Sequence, residues 1–256
     1  MTQRYDSIIF DMDGVLVSNS SYTTAIQKTV ELSLWNNFTL KKNIPMQYIE
    51  TIKGITGFNN DWDTSYALIR LLGNGVPAEK FRREVQQITP DVRKTSRYQK
   101  AKDLFQAMYL GDTLFRQIYR YAPPLKVTKG LISFETLLID LAILAKLASQ
   151  YRLGIATSRP RFEALYAVNN LKLSPDYITE TFIVAKEDAA REKPEPDPLI
   201  EAKRRMNVNK PIYVGDTIND VVAAQKAKMP CIFVGSQKLG DIQITQTNQL
   251  KEVLCE

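Results

Sequence analysis

Histidine is absent from all 256 residues, and that absence removes more chemistry than any other feature of the composition. Serine–histidine and cysteine–histidine nucleophile pairs are excluded, and so are zinc centres ligated through imidazole. Any catalysis must draw on carboxylates, lysine, hydroxyls and a metal held through oxygen. Cysteine is nearly absent too. Cys231 and Cys255 are the whole supply, too few for a disulfide-built scaffold and suited to a reducing compartment. Long apolar runs are also missing. The richest window, Leu131 to Ala148, is interrupted by Glu135, Asp140 and Lys146, so it reads as a core helix and no membrane span is expected. The opening MTQRYDSIIF lacks the apolar core of a signal peptide, and the cytoplasm is the expected location. Nor is there a run of five basic residues. Lys and Arg outnumber Asp and Glu by 34 to 28, a net charge of +6, but they are dispersed in pairs such as Lys41-Lys42, Arg82-Arg83 and Arg204-Arg205. An isoelectric point near 9.1 therefore describes a solvated, mildly positive surface, and nucleic acid is disfavoured as a partner.

What is present is an ordinary globular composition, 44% hydrophobic and 24% charged, enough to bury a core in one large domain or two small ones. Short, continuous apolar runs occur at Ser7–Phe10, Leu153–Ala156, Ile212–Val214 and Cys231–Val234, with a fifth at Thr181–Val184. Runs of this kind are strands covered on both faces. Helical patterns alternate with them at Ser133–Ser149, Arg161–Asn169, Pro198–Met206 and Asn219–Lys228, which predicts an α/β fold, a Rossmann-like parallel sheet wrapped by crossovers. The first crossover is far too long. Between residues 18 and 125 there are helical patterns at Thr23–Leu34, Met46–Lys53, Asp63–Leu72, Pro77–Val85 and Gln99–Met108, and no convincing strand. The predicted division is 1–17 for the first part of a core, 18–125 for an inserted helical domain, and 126–256 for the rest of the core.

Ligands of open parallel sheets bind beyond the carboxyl ends of the strands. Asp11 and Asp13 follow the first strand, Thr157 and Ser158 the second, and Asp216 and Asp220 follow Ile212–Val214, while Lys193 lies in the proline-rich EKPEPDP. Singly these are turn residues, helix caps or surface charges. Together, the order DMDGVLV, TS at a strand end, KPEPDP and GDTIND resembles the four motifs of the haloacid dehalogenase superfamily, mostly Mg²⁺-dependent phosphatases. A helical insertion between the first two motifs is similar to the helical-cap branch of phosphoglycolate phosphatases and β-phosphoglucomutases. The motifs cover about half the chain, and the insertion resembles a cap in position and helicity only.

The resemblance implies Asp11 as the nucleophile, forming an aspartyl-phosphate, and Asp13 as the acid and base that protonates the leaving alcohol and then activates water. It implies Mg²⁺ held by the Asp11 and Asp216 carboxylates and the Asp13 backbone carbonyl, with Asp220 supporting the metal or pairing with Lys193. Thr157, Lys193 and Ser158 would clamp the phosphoryl oxygens. Arg159 is placed to meet a second anionic group on a substrate, to pin a surface loop or to face solvent. In the insertion, Lys53, Asn59 and Asn60 lie where a substrate-contacting loop is expected, while Asp61 or Asp63 is the expected helix cap, with Trp62 and Tyr66 able to stack four residues apart. The expected function is hydrolysis of a small phosphorylated metabolite. The alternatives are a phosphomutase, a nucleic-acid phosphatase and a non-catalytic binding protein. A dehalogenase is disfavoured because carbon–halogen cleavage has no alkoxide for Asp13 to protonate.

Overall fold

The computed structural model describes residues 4–35, 43–55, 58, 60–173 and 175–255. Its sheet has six strands: β1 (Ser7–Phe10), β2 (Arg152–Ala156), β3 (Ile183–Val184), β4 (Pro211–Gly215), β5 (Cys231–Val234) and β6 (Ile242–Ile244). They lie in the order β3-β2-β1-β4-β5-β6, and every neighbouring pair is parallel. The strands lack a polar face because both faces are covered. Ile8, Phe10, Ile155, Ile212 and Val214 pack into one apolar layer, and Ile9, Ala156, Tyr213 and Phe233 into the other. Register then places the chemistry: Phe10 lies opposite both Ile155 and Val214, so Asp11, Thr157 and Asp216 leave the sheet at one edge.

The expected strand at Thr181–Val184 shortens to its last two residues, because Glu180–Phe182 closes into a 3₁₀ turn. β6 has no counterpart among the expected strands. It is three residues long at the sheet edge, with Gln243 exposed, and offers neither a continuous apolar run nor a long alternation.

Between β1 and β2 the chain forms α1 (Ser20–Trp35), α2 (Met46–Lys53), α3 (Asp61–Gly73), α4 (Phe81–Glu84) and α5 (Ser96–Tyr119). After them come α6 (Leu141–Gln150), α7 (Arg161–Asn170), α8 (Asp197–Met206), α9 (Ile218–Lys226) and α10 (Leu250–Leu254). The chain divides into two compact units, one of residues 20–134 and one of the residues on either side of it. This corrects the expected return to the core at residue 126. Gly111 breaks α5 at φ +76°, and a Cβ there would lie 2.6 Å from the Gly130 nitrogen. This close approach lets the Asp112 N–H donate to the Val127 carbonyl at 2.7 Å, while the Ser21 hydroxyl donates to the Leu131 carbonyl at 3.0 Å. Residues 126–134 thus belong with the helices.

A second correction concerns the helix expected at Ser133–Ser149. Leu131–Phe134 is a 3₁₀ turn, and the helix proper begins at Leu141. The intervening residues run extended beside Leu16–Ser18. Ser18 N–H donates to the Thr136 carbonyl and Leu138 N–H to the Leu16 carbonyl, both at 2.9 Å. Leu137 and Ile139 pack toward the core while Leu138 is 39% exposed, a period of two that a helix cannot satisfy. Glu135 is thereby delivered, buried, into the unit that contains the sheet.

Within the helical unit, Tyr22 of α1 stacks on Tyr109 of α5 with centroids 4.3 Å apart. The cap of α3 is Asn60, whose Oδ1 accepts from the Trp62 and Asp63 N–H groups at 2.9 and 3.4 Å, and not Asp61 or Asp63. Asp63 is buried against Arg93 and accepts from the Tyr98 hydroxyl at 2.7 Å. Tyr66 meets Tyr98, 5.3 Å between centroids, and Trp62 carries the Lys102 ammonium at 4.0 Å. Among the described residues no helix is long and apolar enough to cross a membrane.

Candidate active site

The carboxyl ends of β1 and β4 build the centre of the site. Asp11 continues the ladder by one step, its N–H donating to the Val214 carbonyl at 2.8 Å, so its side chain is fixed immediately beyond the sheet. Lys193 reaches in from the proline-rich loop. Its Nζ lies 2.8 Å from Asp11 Oδ1, 2.7 Å from Asp220 Oδ1 and 3.0 Å from the Tyr213 hydroxyl. Burial works against the Lys193 charge, yet Asp11 and Asp220 hold its pKa above the ordinary lysine value. The ammonium is therefore a fixed charge across the accessible pH range.

Asp220 stands in the first turn of α9, where its carboxylate and the Thr217 side chain form a reciprocal cap. Both its oxygens are occupied. Oδ1 accepts from Lys193 and from the Tyr213 hydroxyl, each at 2.7 Å, and Oδ2 from the Thr217 N–H at 3.0 Å and hydroxyl at 2.5 Å. Burial opposes ionisation here too, but Lys193 and these hydrogen bonds keep the pKa below the carboxylate range.

Asp216 is the opposite case. Its Oδ1 is buried and has no hydrogen-bond partner. Burial, followed by the charges of Asp11 and Asp220, pushes it up to about 8. Asp11 is also raised by burial, in spite of Lys193. One oxygen each from Asp11, Asp216 and Asp220 lies within 4.8 Å of the others. Three carboxylates share one ammonium, and the site is short of positive charge. Such an all-oxygen cluster with one buried orphan atom fits a hard divalent cation. Asp220, already saturated by four donors, is the weakest ligand of the three, so its pairing with Lys193 is the arrangement observed.

Gly14 lets the first loop press against this cluster. It sits at φ +73°, and a Cβ would fall 1.9 Å from Asp216 Oδ2. Gly14→Ala should therefore lose stability by at least about 1–2 kcal/mol from the left-handed backbone alone, with Asp216 displaced as well. A lowered urea midpoint together with weakened binding of a divalent cation is the expected result; wild-type values for both would contradict the packing described.

The second motif lies on the other side of Asp11. Thr157 is buried, its N–H donating to the Val184 carbonyl at 2.9 Å and its Oγ1 accepting from the Arg159 N–H at 3.1 Å. Ser158 is exposed. Arg159 is buried and holds Asp13: its Nε donates to Oδ2 at 2.9 Å and Nη2 to Oδ1 at 2.6 Å, while Nη1 donates to Glu135 Oε2 at 2.9 Å. Its guanidinium is thus committed to two carboxylates. In the helical unit, Lys53 Nζ pairs with Asp61 Oδ1 at 2.6 Å, and the Asn60 side chain is spent on the α3 cap. Asn59 lies outside the described residues.

Two residues that sequence reasoning missed complete the arrangement. Tyr213 looked like one more apolar strand position, though a buried tyrosine needs a partner for its hydroxyl. Glu135 registered only as an interruption of an apolar run.

Residues 140–234 match the family described as haloacid dehalogenase-like hydrolase. A solved structure named phosphatase Tt82, from Thermococcus thioreducens, is 25% identical over 96% of this chain and 97% of its own, with a TM-score of 0.68. Over residues 140–234 the chain is similar to the haloacid dehalogenase-like hydrolases. Other similarities are partial. A phosphoglycolate phosphatase of Yersinia pestis is 34% identical over 94 residues, 36% of this chain and 39% of that protein. An imidazoleglycerol-phosphate dehydratase of Phytophthora nicotianae is 25% identical over 89% of this chain but only 42% of its own length. The chain thus spans less than half the length of these curated relatives.

Proposed function

We propose that this chain is a Mg²⁺-dependent phosphatase that hydrolyses a small phosphorylated metabolite through an aspartyl-phosphate on Asp11. The observation that carries the reading is the orphaned, buried Oδ1 of Asp216 in a cluster of three carboxylates served by one lysine. Asp11, Asp216 and the backbone carbonyl of Asp13 would hold Mg²⁺. The metal supplies the positive charge that lets an anionic nucleophile meet a phosphate dianion.

The chain's own residues carry the steps. An Asp11 oxygen attacks phosphorus, the ester P–O bond breaks, and the Asp13 carboxyl gives its proton to the departing oxygen. Water then attacks the phosphorus, its proton returns to Asp13, and Asp11 is released with inorganic phosphate. One water is consumed and both aspartates are restored. Thr157 is suited to the phosphoryl oxygens: its Oγ1 already accepts from Arg159, which leaves the hydroxyl proton to donate. Lys193 fixes Asp11 and adds positive charge beside it, and the exposed Ser158 adds a further donor.

The test is hydrolysis of p-nitrophenyl phosphate and of a panel of metabolite phosphates. Activity in Mg²⁺, lost in EDTA and restored by adding Mg²⁺ back, is expected; turnover indifferent to EDTA, or none with any ester, contradicts the proposal. A second prediction needs no turnover. In the metal-free protein the Asp216 pKa lies at about 8 against an ordinary 3.8, so the folded state binds the extra proton and stability falls as pH rises between those values. Urea midpoints in EDTA should drop from pH 5 to pH 8, and Mg²⁺ should raise the midpoint most at pH 8. A flat profile in EDTA, or no effect of Mg²⁺ at pH 8, would count against Asp216 as a metal ligand.

A further inference from the structure

We propose that Arg159, backed by Glu135, is the positioning device that fixes the Asp13 carboxylate for proton transfer, an inference that rests on the phosphatase reading above. Two parallel N–H···O bonds, at 2.9 and 2.6 Å, set the plane of the Asp13 carboxylate as well as its place. A planar guanidinium can do this, and a single ammonium cannot.

Arg159 is itself immobilised. Its N–H donates to Thr157 Oγ1 at 3.1 Å, its carbonyl accepts from the Lys186 N–H at 2.9 Å, and Nη1 rests on Glu135. Side-chain exposure is 2% for Arg159 and 1% for Glu135, but 32% for Asp13. The holder is buried and the held group is open. A proton-transfer carboxylate needs both, access to the departing oxygen and a fixed orientation toward it.

The competing role is a receptor for a second anionic group on the substrate. Geometry argues against it. Three of its five N–H groups donate to carboxylates already, the guanidinium is 2% exposed, and an incoming anion would be repelled by both Asp13 and Glu135. Glu135 belongs to the same device: it is the first residue of the sheet unit after the insertion, and it braces the far side of the guanidinium.

The test exploits the leaving group. p-Nitrophenolate departs without a proton, whereas an alkoxide needs one, and kcat/KM reports the steps up to departure. Wild type is assayed in Mg²⁺ with p-nitrophenyl phosphate and with a panel of alkyl phosphates, including one that carries a second anionic group. In Arg159→Gln the alkyl-to-aryl ratio of kcat/KM should fall by about 10–100-fold, within the range that general acid catalysis supplies. Arg159→Lys and the isosteric Glu135→Gln, which guard against a folding failure, should move the ratio the same way by smaller factors. Adding Arg159→Gln to Asp13→Asn should lower the ratio no further than Asp13→Asn alone.

Equal losses on aryl and alkyl esters would mark Arg159 as merely structural and overturn the proposal. So would a loss confined to the ester with a second anionic group, or an unchanged ratio in both Arg159→Lys and Glu135→Gln. Wild type inactive on every ester would instead sink the phosphatase reading, and the positioning role with it.

Discussion

On the proposed mechanism, Asp11→Asn should lower turnover of phosphate esters by about 10⁴-fold or more while leaving the protein folded, because removal of the proposed nucleophile abolishes its pathway and leaves only residual binding and electrostatic effects. The substitution is nearly isosteric, and the backbone bond from residue 11 to Val214 does not depend on the side chain. Stability should not suffer, since an ionised Asp11 is an uncomfortable group in the metal-free site, raised by burial and by Asp220 and Asp13. A variant with wild-type urea midpoint and no measurable kcat is therefore expected. Retention of even a tenth of the activity would remove Asp11 from the mechanism.

Lys193→Ala is expected to damage both activity and fold. The ammonium is shared by two buried carboxylates and the Tyr213 hydroxyl. Breaking a buried ion pair by removing one partner typically costs about 3–5 kcal/mol, because the remaining charge is left uncompensated. Two carboxylates are stranded here, with Asp220 the more affected because its pKa is held low mainly by Lys193. The cost has a pH signature. Protonated carboxyls do not need the ammonium, so the gap between wild type and variant should be widest near neutral pH and narrow as pH falls toward 4. Urea titrations at pH 7.5 and pH 5, with turnover measured in parallel, would show it. A gap independent of pH would mean that Lys193 acts through packing and not through charge.

The sheet was legible where strands are buried on both faces, as β1 and β5 show: a continuous apolar run admits one reading when turn residues bound it. The convergence of Asp11 and Asp216 was legible for a related reason. Parallel register aligns strand ends, so motifs at those ends converge whatever lies between them. Side-chain commitments were not legible. Nothing in the sequence says that Arg159 turns inward to a carboxylate 146 positions away, or that Asn60 caps α3 in preference to its acidic neighbours. The segment after Phe134 misled for a physical reason: Leu137, Leu138 and Ile139 suit a helix in composition, and only the pairing with Leu16–Ser18 selects the extended form. That pairing brings Glu135 to Arg159, so this misreading hid the side chain that completes the Asp13 clamp.

The covalent route is tested most directly by rapid acid quench of wild-type protein turning over a phosphate monoester in Mg²⁺, followed by peptide mapping. A covalent route through Asp11 predicts a transient, hydroxylamine-labile phosphoryl group on the peptide that contains Asp11, absent in Asp11→Asn and in EDTA. Steady turnover with the phosphoryl group on a different residue, or with none at any quench time, would contradict it.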